Sequence, residues 1–294
     1  MNIEQKGGGN YLKENKTWAK QTIAHNTITQ NQTSHFQGKY EIGSQHHSDL
    51  YFFDASREDF QVVSAVETDA YPGTTMRRTM ALIKNPSFEK PFLLDIFKVN
   101  SDKKNQYDLP FYFMGQVMEV NFEYESPTTL SALGSKNGYE HLYVEGKGKP
   151  STDNTKFLWM DKRRFYTLTS VANSSDELLF TRLGANDPEF NLRRDAALMI
   201  RRKDAEDTVF VSVVEPHGSY NLVSELAANS NSSISSLAVV HDDDDYTAVA
   251  IEDLEGNTSI FIMSNMDATA SRKHQLEVDG KMHQWSGAYH YATQ

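Results

Sequence analysis

The fold class is decided by the stretch TVFVSVVE, residues 208–215. Its residues alternate, so that Val209, Val211 and Val213 point to one face of an extended segment. Successive side chains of a β-strand point to opposite faces, and a period of two residues is therefore typical of a half-buried strand. The stretch predicts a strand that contributes one face to a hydrophobic core.

Similar short runs, rich in Val, Ile, Phe, Tyr and Thr, recur along the chain between turn residues such as Asn137-Gly138. The predicted strands are residues 50–53, 60–66, 75–84, 92–99, 110–113, 116–123, 155–160, 164–172, 177–182, 196–202, 208–215, 234–241, 247–252 and 258–264. Parallel βαβ units need helical crossovers of about ten or more residues, and the chain shows only a weak helical signal in residues 219–229. The pattern predicts an all-β protein, a multi-stranded antiparallel β-sandwich.

The regions between these runs indicate how the chain is organised. Residues 126–149 have few strand signals and are predicted to form a long connection, while residues 146–154 and 224–236 are predicted to be exposed loops. We expect residues 31–294 to form the sandwich domain. Residues 1–30 are expected to be the truncated start of the same β domain, because no complete domain precedes them.

Composition excludes several classes of function. The 294 residues carry a formal net charge of −11, which disfavours a nucleic-acid or anionic-membrane partner. The chain has no cysteine, so disulfides, thiolate zinc sites and a cysteine nucleophile are excluded. We expect no signal peptide in this chain, and no apolar run approaches the roughly 20 residues that a membrane helix needs.

Near the start of the chain lies the stretch WAKQTIAHNTIT, residues 18–29. Its apolar and β-branched residues indicate a strand-like segment, in which His25 and Asn26 place an imidazole beside an amide. Burying such polar groups without partners costs roughly 1–3 kcal/mol each. The stretch therefore predicts a site where His25 and Asn26 find partners.

These residues resemble a known family. WAKQTIAHNT (residues 18–27), FLLDIFKV (92–99), YDLPF (107–111) and EPHG (215–218) are similar to the C-terminal half of the heparinase II/III-like polysaccharide lyases, and most similar to the oligoalginate lyase branch. The resemblance covers nearly the whole chain. It implies a β domain of stacked antiparallel sheets, whose N-terminal partner in complete members is an α-helical toroid that is missing from this chain.

The resemblance also implies a reaction and an expected location. Complete members cleave uronic-acid polysaccharides such as alginate by β-elimination, in a cleft between toroid and sheets, and the toroid supplies most of the proton-transfer groups. They are carbon–oxygen lyases of the periplasm or cell envelope. We therefore expect this chain to bind an acidic oligosaccharide or polysaccharide and to turn over little substrate alone.

Two site residues follow from the resemblance. His25 matches the third ligand of a zinc ion that pins the β domain of complete members. The other ligands would come from the missing segment, so zinc is expected in the complete protein and not in this chain. Tyr11 matches a tyrosine that faces the cleft and assists catalysis from the β-domain side.

Basic pairs and triplets provide candidate contacts to uronate carboxylates. Arginine can grip a carboxylate with two parallel hydrogen bonds, and we select Arg77, Arg193 and Arg194 for substrate binding. Scattered surface charge is the alternative explanation for these clusters.

Two other functions stay open. One is a non-catalytic carbohydrate-binding or assembly module that complements a separately encoded toroid. The other is a fragment of a lyase for a glycosaminoglycan such as heparin, although sulfates demand more cations and the acidic balance of the chain argues against it.

Overall fold

The structure is a computed structural model that describes residues 13–184 and 194–293. Its first strands are β1 Thr29–Gln30, β2 Asp49–Asp54, β3 Phe60–Tyr71, β4 Thr74–Ile83, β5 Phe92–Ser101, β6 Asn105–Phe113, β7 Gln116–Val120 and β8 Tyr124–Glu125. The next are β9 Leu142–Gly148, β10 Asn154–Asp161, β11 Arg164–Val171, β12 Glu177–Leu183, β13 Ala196–Ala205, β14 Thr208–His217, β15 Ser219–Asn221 and β16 Leu226–Ala228. The last are β17 Ile234–Asp242, β18 Tyr246–Asp253, β19 Thr258–Ser264, β20 Lys273–Val278, β21 Lys281–Ser286 and β22 Tyr289–Thr293.

Helical structure among the described residues is short. A π-helical turn spans Asn15–Ala19, 3-10 turns span Thr22–Ala24, His35–Gly38 and Tyr139–His141, and one α-helical turn, α1, spans Tyr40–Gly43. None of these helices is long and apolar enough to cross a membrane.

The strands form three main antiparallel sheets. A six-stranded sheet has the order β1-β6-β13-β12-β9-β8, and an eight-stranded sheet has the order β2-β3-β4-β5-β14-β11-β10-β7. A four-stranded sheet has the order β17-β18-β19-β22, and β15-β16 and β20-β21 are separate hairpins. The expectation of an all-β antiparallel sandwich is confirmed.

The sheets are stacked, and the eight-stranded sheet lies in the middle. Phe97, Phe111 and Phe210 belong to the core between the six- and eight-stranded sheets. Val211 and Phe261 belong to a second core, between the eight- and four-stranded sheets. Since Phe210 and Val211 lie on opposite faces of β14, the alternation predicted for this strand is confirmed, with both faces buried.

Several predicted boundaries are wrong. The expected connection in residues 126–149 contains β9, which pairs with β12, and residues 219–229, which carry the weak helical signal, contain the β15–β16 hairpin. The strands β20, β21 and β22 were not predicted. These strands are short or carry many polar residues, and their pairing partners decide their conformation.

Candidate functional site

The stretch around His25, residues 18–29, is not the strand that its composition suggested. It contains the end of the π-helical turn and the 3-10 turn Thr22–Ala24, and it becomes a strand only at Thr29. Thr22 explains part of the difference, because its hydroxyl accepts a hydrogen bond from the His35 amide at 2.9 Å and its own amide donates to Ser34 Oγ at 3.2 Å. Such side chain–backbone bonds compete with a sheet ladder.

Apolar side chains of this stretch pack on the outer face of the six-stranded sheet. Trp18 and Ile23 are fully buried in a cluster that includes Tyr112 and Leu179. The Asn137-Gly138 turn lies directly against them, and a Cβ atom on Gly138 would come within 2.6 Å of Ile23 Cγ2. Gly138 also has a φ of +90°, so two requirements select glycine there.

The His25 side chain itself is exposed. Its Nε2 atom lies 3.1 Å from the carbonyl oxygen of Ala19. A carbonyl oxygen can only accept, so Nε2 must carry the proton of the neutral ring and Nδ1 carries the lone pair. Histidines that bind a metal commonly donate their second nitrogen to a carbonyl in this way.

Asn26 is held by both neighbouring sheets. Its Oδ1 atom accepts a hydrogen bond of 2.7 Å from the Tyr112 amide on β6, and its carbonyl oxygen accepts one of 2.6 Å from Arg78 Nη1 on β4. Arg78 also binds both carboxylate oxygens of Asp95, at 2.9 and 2.6 Å. Burial alone would lower the pKa of Arg78, but the charge of Asp95 and its hydrogen bonds raise it.

A second buried ion pair supports the end of the stretch. Arg201 donates two hydrogen bonds to Asp108, of 2.7 and 2.9 Å, and the two residues are directly paired on β13 and β6. Tyr139 donates to the same carboxylate at 2.6 Å, and burial and the charge of Asp108 raise the Tyr139 pKa. Because the phenol proton is used there, the Thr29 hydroxyl donates to Tyr139 across 2.5 Å.

Arg77 lies on the other face of the eight-stranded sheet. Its guanidinium donates to the Asn265 carbonyl at 2.8 Å and lies 4.0 Å from the centre of the Tyr51 ring. Burial lowers the pKa of Arg77. The sheet thus separates Arg77 from the stretch around His25, and its proposed contact with a uronate stays a prediction that would require a site on that far face.

Arg194 is exposed in the segment that connects β12 to β13. Its carbonyl oxygen accepts a hydrogen bond of 3.4 Å from Arg182. At the same end of these strands, Gly184 donates to the His141 carbonyl, and the His141 ring lies 2.9 Å from Thr17 Oγ1. Arg194 therefore lies at the end of the sheet that borders residues 17 and 18. Tyr11 and Arg193 lie outside the described residues.

Metal-ligating side chains are dispersed in the described parts of the chain. Within residues 13–184 and 194–293, no three His, Asp or Glu side chains come together in an arrangement able to hold a metal ion. His25 fits the role of a single ligand through Nδ1, and further ligands would have to come from outside these residues.

These two ion pairs were missed from the sequence, although a signal was present. Asp95 interrupts the apolar run FLLDIFKV, and Asp108 and Arg201 likewise lie within buried strands. A charge in a buried strand is almost always paired. This rule would have identified these residues as members of ion pairs, but it does not say which residue each one pairs with.

Comparison with known proteins gives a consistent picture. The family described as heparinase II/III-like, C-terminal, matches residues 4–235. The chain is 38% identical over 290 residues to the alginate lyase of Stenotrophomonas maltophilia (strain K279a), and 36% identical over 291 residues to the exo-oligoalginate lyase of Saccharophagus degradans (strain 2-40). Each match covers 98% of this chain, and the chain spans 39% of the length of each relative.

A solved structure has a similar fold. The protein described as a heparinase III gene product superposes with a TM-score of 0.58 over 88% of this chain and 33% of its own. Sequence identity in that superposition is 11%, so the likeness concerns the arrangement of strands alone.

Proposed function

Because the chain belongs to the heparinase II/III-like, C-terminal family, we propose that it is the β-sheet part of a polysaccharide lyase that cleaves alginate or oligoalginate by β-elimination. One observation carries the proposal: the 38% identity to a protein named alginate lyase extends over 98% of this chain. Since the chain spans 39% of that relative, the activity is proposed for a whole protein that contains these sheets.

The reaction defines the groups that such a protein needs. A base removes the proton from C5 of a uronic acid, the electron pair of that bond forms the C4=C5 double bond, and the bond between C4 and the glycosidic oxygen breaks. An acid supplies a proton to that oxygen, and neutralising the C6 carboxylate makes the C5 proton more acidic. We propose that Tyr11 takes part in proton transfer, because a phenol can donate a proton or hold a substrate oxygen.

His25 is proposed to act through position rather than proton transfer. Its exposed ring and the hydrogen bond from Nε2 to Ala19 leave Nδ1 to ligate zinc together with groups from outside the described residues. Zinc held there would fix this stretch against the segment that carries the other ligands.

Charge constrains where substrate binds. A chain with a net charge of −11 repels a polyuronate at long range, so a local group of cations is needed. We propose that Arg193 and Arg194 bind uronate carboxylates, with Arg194 presented from the connection between β12 and β13, because a guanidinium can form two parallel hydrogen bonds with a carboxylate.

An exposed apolar face supports a further partner. Leu50, Phe53, Val63 and Leu82 are between 39% and 67% exposed, and they lie on the same face of β2, β3 and β4 as Arg78. Among the described residues, the six-stranded sheet does not cover this part of the face. A solvent-facing sheet surface is ordinarily polar, and an apolar patch of this kind marks an interaction surface. We propose that the helical toroid of complete family members packs on this patch.

The test combines binding and turnover with the purified chain. Calorimetric titration with oligoalginate, heparan sulfate fragments and a neutral oligosaccharide measures which saccharide binds. Absorbance of the C4=C5 product then measures elimination. We expect oligoalginate to bind in preference to the other two, with little or no product.

Each contrary result overturns a distinct part of the proposal. Robust turnover by this chain would overturn the division of labour with a toroid. Binding or cleavage of heparan sulfate in place of oligoalginate would favour the glycosaminoglycan alternative, and the absence of any oligoalginate binding would contradict a substrate-binding role for these sheets.

A further inference from the structure

Arg78 is a partly buried arginine that donates a hydrogen bond to one backbone carbonyl, that of Asn26. The side chain of Asp95 is 4% exposed and that of Arg78 is 23% exposed, and together they form a two-point ion pair inside the sandwich. The Nη1 atom of Arg78 is directed instead at the carbonyl oxygen of Asn26, 2.6 Å away. The guanidinium therefore joins β4 and β5 to the residue that follows His25.

Core packing does not require this arrangement. Replacing a buried ion pair by well-packed apolar side chains is often neutral or stabilising, because desolvation of the charges offsets their attraction. An ion pair that also binds a backbone carbonyl fixes the position of that segment of backbone, whether or not it adds stability. The Tyr112 amide holds the side chain of the same Asn26 from the six-stranded sheet, so this residue is fixed from two sides.

We propose that Arg78 is a positioning residue, which holds Asn26 and thereby sets the direction in which the neighbouring His25 ring is presented at the protein surface. Its effect on saccharide binding rests on the proposed function, whereas its effect on the order of residues 24–27 does not.

The chain offers a matched control one residue away. Arg77 is also partly buried on β4 and also donates to a backbone carbonyl, but it does so on the opposite face, to Asn265. Arg77→Met removes the same functional group from the same strand. It should therefore reproduce any general cost of losing an arginine without touching the stretch around His25.

Amide hydrogen exchange is the decisive measurement. The amides of His25 and Thr27 donate to the carbonyls of Thr22 and His25, at 3.0 and 2.8 Å, so both report on local opening. In Arg78→Met we expect their exchange to accelerate by about tenfold or more relative to the strand amides of β13, as local opening without global unfolding predicts. Arg77→Met should leave both amides at the wild-type rate.

Arg78→Lys serves as the second variant in case the methionine variant does not fold. Lysine keeps a positive charge beside Asp95 but lacks the planar fork that reaches the carboxylate and Asn26 together. We expect it to keep more of the thermal stability than the methionine variant while still accelerating exchange at His25 and Thr27. Unchanged exchange in the variants that fold, or equal acceleration in Arg77→Met, would overturn the positioning role.

Titration of the same variants with oligoalginate separates the two proposals. If the wild-type chain does not bind oligoalginate, the proposed function fails, while the exchange result still decides the role of Arg78. If the wild type binds and Arg78→Met binds at least about tenfold more weakly than the wild type, both hold. Equal affinities would show that the position of His25 does not matter for the saccharide.

Discussion

Individual charged residues decide how the stretch around His25 is held, and each is paired within the sandwich. Arg78 and Asp95 lie on one side of it, and Arg201 and Asp108 lie on the other. Loss of one partner leaves the other charge buried without compensation, which costs far more than the pair contributes as a whole. Stability and local geometry are therefore coupled at these positions.

For this reason, Arg201→Met should destabilise the protein by about 3–5 kcal/mol, because Asp108 is fully buried and would lose both guanidinium contacts. Lys203→Met is the control, since Lys203 is exposed and its ion pair with Glu177 is worth about 0–1 kcal/mol. Urea unfolding of the two variants measures the difference. Equal losses would contradict the importance of the buried pair.

Among the secondary-structure elements, the C-terminal hairpin β20–β21 is distinctive because histidines flank the apolar contacts that pack it onto the four-stranded sheet. The Trp285 ring stacks against His274 at 5.2 Å and against His290 at 5.8 Å, and His283 contacts His290 at 5.3 Å. The Nε2 atoms of His274 and His283 are buried and have no hydrogen-bond partner in the described structure. Burial lowers the pKa of all three imidazoles from 6.5.

Neighbouring charges also shift the pKa values of these histidines, and most of them lower the pKa further. Arg272 lowers the pKa of His274 further and Asp267 opposes it, while Lys281 lowers the pKa of His283 and His290. As pH falls below about 6.5, an unfolded histidine takes up a proton before a folded one does. The packing of the hairpin is therefore stable above this pH and weakens as pH falls through the lowered pKa values.

We expect the hairpin to open more easily at about pH 5 than at about pH 7.5, because desolvation of these partly or fully buried imidazoles favours their neutral form in the folded hairpin. Exchange of the β20 and β21 amides at the two pH values, corrected for the intrinsic rate, measures the opening. His283→Leu should reduce the pH dependence, whereas His46→Gln, a change at an exposed histidine, should leave it intact. A pH dependence that His283→Leu does not alter would contradict this account.

At the scale of the whole molecule, three sheets stack so that the middle one is buried on both faces over only part of its width. Its strands β2, β3 and β4 leave Leu50, Phe53, Val63 and Leu82 exposed beside Arg78. The chain spans 39% of the length of its relatives, and we have proposed that the toroid of complete members covers this patch.

Two adjacent phenylalanines test that proposal. Phe52 is 9% exposed and packs in the core toward the four-stranded sheet, whereas Phe53 is 65% exposed on the opposite face. Phe52→Ala should therefore cost about 3–5 kcal/mol of unfolding free energy. Phe53→Ala should change the free energy of unfolding by less than about 0.5 kcal/mol, because a side chain on an interaction surface makes few contacts within its own chain.

Urea unfolding measures both values. A large loss of stability in Phe53→Ala would instead assign this side chain to the core of the chain itself.

The sequence by itself determined the class of fold, the position of most strands in the middle of the chain and the family, because alternation and local motifs are properties of neighbouring residues. It also singled out His25 and Asn26 as polar groups in need of partners. One error is the stretch of residues 18–29, which forms helical turns where a strand was predicted. The others are β9, the β15–β16 hairpin and the C-terminal strands, which become strands because a neighbour pairs with them.

Only the tertiary structure decided which charges meet and which faces are covered. Arg77 and Arg78 are adjacent and chemically identical, yet one binds Asn265 and the other binds Asp95 and Asn26, because successive side chains of β4 enter different layers. Asp108 and Arg201 are 93 residues apart and become partners through the pairing of β6 with β13. Contacts of this kind depend on sheet order and register, which no local pattern encodes.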